Sequence, residues 1–158
     1  MALFQSKQIA AGYPVPNATD AVDSVPVTAE FAVPAGLALN DVIEMGGIPE
    51  GCIVTDAIVA FEDLDTGGSP AIKFDMGILS GDYGSKGART CGNEFLAADT
   101  TAQTGGVARL NKTDALFLAT SNATQSWGFK VNTAAATLAV GKRIRATVWV
   151  RPAPVAIS

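Results

Sequence analysis

The chain has 158 residues, is 48% hydrophobic and only 16% charged, and carries 11 Lys and Arg against 15 Asp and Glu, a formal net charge of −4. That length suits a single domain burying roughly 68–70% of its unfolded surface, and the acidic balance excludes nucleic-acid binding through a phosphate-neutralising patch. Histidine is absent, which excludes Ser-His-Asp and Cys-His catalysis and the usual zinc, iron and copper sites.

Residues 1–26 contain Pro14, Pro16 and Pro26 and sustain neither a helical nor a strand period. Proline fixes φ and removes a donor, so an extended N-terminal arm is expected. Phe4, Ile9, Tyr13 and Val15 are costly to leave in water, and the arm is expected to lay them on a neighbouring subunit. No signal-peptide core and no run of about 18 apolar residues is present, so an unexported chain without membrane contact is expected.

The domain is expected over residues 27–152, with 153–158 as a C-terminal tail. Val27, Ala29, Phe31 and Val33 alternate with polar residues, as a half-buried strand requires, and Val42–Met45 follows as a second strand. Two apolar runs, Cys52–Phe61 and Ala71–Leu79, flank the acidic connector EDLDTGGSP and predict a long central hairpin. The first run is apolar on both parities, which fits either a strand covered on both faces or a bulge near Thr55–Asp56. In the second, Ile72, Phe74, Met76 and Ile78 share one face.

Gly81–Gly92 is glycine-rich but lacks the Gly-Lys-Ser/Thr ending of a phosphate loop. Glu94–Ala98 fits one helical turn or a short strand, Ala102–Ala108 a turn, and Ala115–Ala119 and Trp127–Val131 a strand pair. Thr133–Ala139 reads as a loop or irregular strand rather than a helix. In the last strand Ile144, Ala146, Val148 and Val150 face inward, and Arg143, Arg145, Thr147, Trp149 and Arg151 face outward. The prediction is an all-β, sandwich or jelly-roll-like single domain of seven or eight strands.

Carboxylates are the remaining candidates for chemistry. Asp65-Thr66-Gly67 matches the short aspartic-protease signature, but Glu62 and Asp63 beside it would disturb a shared proton, and a turn explains it. The same cluster offers oxygen ligands for Ca²⁺ without EF-hand spacing. No catalytic residue, metal or cofactor is expected, and Cys52 and Cys91 are expected buried and reduced. The sequons at Asn17, Asn111 and Asn122 are read as turn residues. The outward stripe of Arg143, Arg145, Trp149 and Arg151 has two readings. One is the solvated face of an edge strand; the other is a docking face, since Trp and Arg are enriched at hot spots.

The stretch VTAEFAVPAGLALNDVIEMGGIPEGCIVTDAIV, followed by DLDTGGSPAIKFDMGILSG, ARTCGNEFL and AQTGGVAR, resembles the head decoration, or capsid cement, proteins encoded beside the major capsid protein in tailed bacteriophages. The resemblance runs from Val27 to Arg151 and consists of phrasing rather than catalytic motifs. It implies a non-enzymatic virion protein on the capsid exterior, made in the bacterial cytoplasm. Its expected partners are the major capsid protein and further copies of itself, as a trimer or dimer, with many modest contacts adding through avidity. A low surface charge agrees, because neighbours cover such surfaces. A tail-tube or head–tail joining subunit is the second reading, and a carbohydrate-binding or adhesin sandwich using its tryptophans the third.

Overall fold

Alternating apolar side chains fold the chain into nine strands in the computed structural model, which describes residues 1–12 and 24–153. They are β1 (Leu3–Gln5), β2 (Val25–Ala32), β3 (Val42–Ile48), β4 (Cys52–Phe61), β5 (Lys73–Leu79), β6 (Leu96–Asp99), β7 (Gly106–Arg109), β8 (Gln125–Thr133) and β9 (Arg143–Pro152). One short helix, α1 (Lys7–Ala10), and 3-10 turns at Thr101–Gln103 and Thr113–Phe117 complete the described elements. The order is β1-β3-β8-β5-β6 in one sheet and β2-β9-β4-β7 in the other. Apart from β1, which runs parallel to β3, all pairs are antiparallel. This is the all-β, two-sheet architecture the alternation predicts, with nine strands among the described residues in place of seven or eight.

The central hairpin is not formed. β4 pairs with β9 and β7, whereas β5 pairs with β8 and β6 in the opposite sheet. Neighbours in sequence usually pair, but the connector between these two crosses from sheet to sheet, and Asp65 holds it there. Its carboxylate is 1% exposed and accepts the backbone N–H of Ala71 (2.7 Å), Ile72 (3.1 Å), Ala136 (2.9 Å) and Thr137 (2.8 Å).

Of the two readings of the first apolar run, a strand covered on both faces or a bulge near Thr55–Asp56, the bulge is present. The register of β4 against β9 shifts between Val54 and Asp56, so Cys52 and Val54 face the core before it, and Ala57, Val59 and Phe61 after it. One extra residue exchanges the faces, which is why the run is apolar on both parities. Between the sheets Phe61 stacks on Phe74 at 5.5 Å, and Phe129 meets both edge-on at 5.8 and 5.9 Å. Trp127 is fully buried, as expected for a core residue. Cys52 and Cys91 are free and buried.

Three local expectations are corrected. Residues 115–119 were expected as a strand, but Thr113–Phe117 is a 3-10 turn that buries Ala115 and leaves Phe117 85% exposed. The expected turn at 102–108 contains β7, and the Glu94–Ala98 ambiguity resolves toward a strand, β6. The third concerns the arm: residues 3–10 are packed. β1 joins β3, Ser6 caps α1 through Ile9 N–H, and Phe4 lies edge-on to Phe31 at 6.2 Å. Tyr13 and Val15 lie outside the described residues.

Candidate interaction surface

The two sheets differ in what covers their outer faces. Behind the five-stranded sheet, every residue of β3 is buried, because the glycine-rich segment folds over it. Glu44 of β3, fully buried, accepts from Arg89 Nη1 at 2.6 Å, Gly84 N–H at 2.9 Å, Gln5 Nε2 at 3.0 Å and the Ser126 hydroxyl. Arg89 in turn donates to the carbonyls of Ser80 (2.5 Å) and Gly81 (3.2 Å). Burial pushes the Glu44 carboxyl up, but the bonds from Ser126, Gly84, Gln5 and Arg89 outweigh it and hold it below its ordinary value. Every donor in this cluster serves the ion pair, so its work is to hold the segment down.

Close packing on this side also requires glycine at two facing positions, one against the end of that segment at Gly92 and one against the backbone of β3. Gly77 of β5 lies opposite Gly128 of β8. A Cβ on Gly77 would sit 2.0 Å from Glu94 Oε2, and one on Gly128 would sit 1.9 Å from the Ile43 carbonyl. Val42, Leu79 and Cys91, with Leu3, form a second small apolar cluster on this side.

The outer face of the four-stranded sheet is instead open. β9 lies inside that sheet, between β2 and β4, so the Arg–Trp stripe is not on an edge strand as one reading expected. Arg143, Arg145 and Arg151 are exposed, while Thr147 and Trp149 are half-buried between neighbouring strands. Thr28 and Thr147 share a hydroxyl hydrogen bond at 2.8 Å. Arg145 donates to Glu30 at 2.7 Å, and Lys7 of α1 reaches the same carboxylate at 3.2 Å. Arg143 pairs with Glu62 at 3.0 Å, and Arg109 with Asp56. These partners draw the three carboxyls below their ordinary values: Arg145 acts first on Glu30, Arg143 on Glu62, and Arg109 on Asp56. Side chains held this way present a fixed pattern of charge, with a shallow cleft of about 180 Å³ between Glu30, Ala60, Glu62, Arg143 and Arg145.

The other predicted interface residues stand elsewhere. Phe4 and Ile9 are half-buried, Phe4 on the chain's own core, and α1 reaches the stripe through Lys7, which shares Glu30 with Arg145. Residues 62, 63 and 65 do not converge as cation ligands. Glu62 turns to Arg143, Asp63 accepts Asp65 N–H at 3.2 Å, and the Asp65 oxygens are taken by backbone donors. The same donors hold the Asp65 carboxyl far below the carboxylate range despite burial, which pushes it up. An aspartic-protease role needs a carboxyl that shares a proton with a second one, and this environment forbids it. The sequence reading missed the Glu44–Arg89 pair, since 45 residues separate the partners. Its one legible signal was an isolated Glu inside the apolar run Val42–Ile48.

No protein-family model and no curated protein matches the chain. Among solved structures, a chain from "Capsid of Ralstonia phage GP4" superposes with a TM-score of 0.90 at 36% identity, covering 97% of this chain and 99% of that one. A chain from "Cyanophage Pam1 capsid asymmetric unit" superposes with a TM-score of 0.62 at 23% identity, over 90% of this chain and 96% of that one, and shares the fold.

Proposed function

The chain belongs to a family of phage capsid proteins, and from that membership we propose that it is a decoration subunit, bound on the outside of the head across adjacent subunits of the major capsid protein. Its role is structural and its place is the virion. The observation that carries the finer reading is the open outer face of the four-stranded sheet, set against a five-stranded sheet in which the chain itself covers the outer face of β3. A subunit that clamps others needs one rigid, solvated face with fixed polar contacts and an aromatic anchor. Trp149 among Arg143, Arg145 and Arg151 supplies both. Modest contacts repeated over the shell add through multivalency. A non-enzymatic role fits the occupied state of its buried carboxylates.

Cryo-electron microscopy of particles assembled with and without the chain tests this. The expected result is density for the sandwich outside the shell, lost without the chain and restored when purified protein is added. Density confined to the tail, or a shell tiled by this chain itself, overturns it.

A further inference from the structure

Four carboxylates are buried among the described residues: Asp41, Glu44, Asp65 and Asp75. A buried carboxylate is tolerated when a cation or several hydrogen-bond donors answer its charge. Glu44 has Arg89. Asp75 has Lys130 at 3.1 Å, with the Asn132 amide at 2.9 Å and Ala98 N–H at 2.8 Å. Asp65 has its four backbone bonds. Asp41 has less. It is 4% exposed and pairs with no Lys or Arg among the described residues. Two backbone N–H groups reach it, that of Ala38 on Oδ2 at 3.0 Å and that of Ala2 on Oδ1 at 2.5 Å.

The Ala2 nitrogen is set in place by the chain that follows it. The Ala2 carbonyl accepts Val42 N–H at 2.9 Å, directly ahead of the β1–β3 ladder, where Leu3 lies opposite Val42. Leu3 packs on Val42, Leu79 and Cys91, and Gln5 reaches Glu44. Met1, in contrast, is 67% exposed and joins neither apolar cluster. The buried carboxylate thus lacks a cation and faces the one backbone nitrogen that a single cleavage converts into one.

We propose that the bond between Met1 and Ala2 is cleaved and that Asp41 is the receptor for the α-ammonium of Ala2. The cleavage is a hydrolysis. The amide C–N bond breaks, the oxygen of water goes to the carboxylate of the released methionine, and both of its hydrogens go to the Ala2 nitrogen. Aminopeptidases that release methionine act ahead of small residues, and Ala2 is small and exposed. The receptor recognises the amine of Ala2 itself, whatever stood before it. The nitrogen keeps its place on Asp41 Oδ1, a charge-assisted bond of about twice the strength replaces a neutral one, and the two new N–H groups turn to the solvent where Met1 stood. The ion pair then anchors the start of β1, a parallel strand of only three residues. Residues added ahead of Ala2, a purification tag included, withhold the cation from Asp41.

Intact-mass measurement of the chain expressed in bacteria is expected to show the loss of one methionine residue. The same sequence expressed under a methionine-aminopeptidase inhibitor keeps Met1 and is expected to melt about 2–5 °C lower. In the Asp41→Asn background the two forms are expected to melt together. Met1 retained on the untreated chain, equal melting of the two wild-type forms, or a difference that survives Asp41→Asn overturns the proposal. The first two outcomes are read on the unaltered sequence, so they decide the matter even where Asp41→Asn fails to fold. No arm involves a capsid, so the result stands apart from the decoration reading.

Discussion

Asp65 shows how one residue's surroundings decide its chemistry. A carboxylate in a Asp-Thr-Gly triplet invites a catalytic reading, but four backbone donors converge on its two oxygens and leave no room for a second acid. Its function is to fasten the β4–β5 crossover to the loop before β9. Its folded pKa is depressed, so its stabilisation is present above the ordinary carboxylate range and is lost as pH falls through that range toward the folded value. Asp65→Asn is expected to destabilise the fold by about 2–3 kcal/mol at neutral pH, since an amide nitrogen would face N–H donors. Melting curves from pH 7 to 2 should show the gap between wild type and variant begin to narrow below about pH 4 and go on narrowing toward the acid end. Parallel curves across that range would assign the stabilisation to another group.

At the level of elements, the N-terminal segment changes meaning. Phe4 packs on Phe31, Gln5 reaches Glu44, and the Ser6 hydroxyl donates to the Met45 carbonyl at 2.5 Å. The segment thus completes the sheet that buries the Glu44–Arg89 pair. Deleting residues 2–10 is expected to cost about 2–3 kcal/mol, a drop of roughly 5–10 °C in Tm. Circular dichroism melts of the isolated chain check this. An unchanged Tm would return the segment to the role of an arm acting only on neighbours. The ends of β4 and β9 illustrate a second point: a single bulge at residue 55 sets which side chains line the open face, and with them the position of Trp149 opposite Asp56.

At the scale of the whole molecule, the chain itself covers the outer face of β3, while the outer face of the four-stranded sheet is open. Placing the Arg–Trp stripe on an interior strand makes it stiff, because β2 and β4 hold β9 on both sides. Stiff, pre-positioned side chains lose little entropy on docking. Trp149→Ala is accordingly expected to weaken binding to undecorated shells by about 2 kcal/mol, roughly thirtyfold per site, with little change in Tm. Binding isotherms on purified shells, with the melt as control, measure it. Undiminished occupancy would move the contact to another surface.

The alternation in β2, β5, β8 and β9 was enough to predict an all-β sandwich, and the inward set Ile144, Ala146, Val148 and Val150 was correct residue by residue. These are local properties: a period of two and the position of prolines and glycines follow from backbone geometry alone. The sequence also determined the chemistry that is missing, since no fold supplies histidine. Tertiary structure decided the rest. Whether β4 turned back on β5 or crossed to β9 depended on contacts about 90 residues apart, and period-two patterning is the same for either partner. The joining of Glu44 to Arg89 and the engagement of Asp65 by distant backbone donors arose in the same way. Each depends on which strands become neighbours, and pairing across a long loop leaves almost no trace in local residue choice.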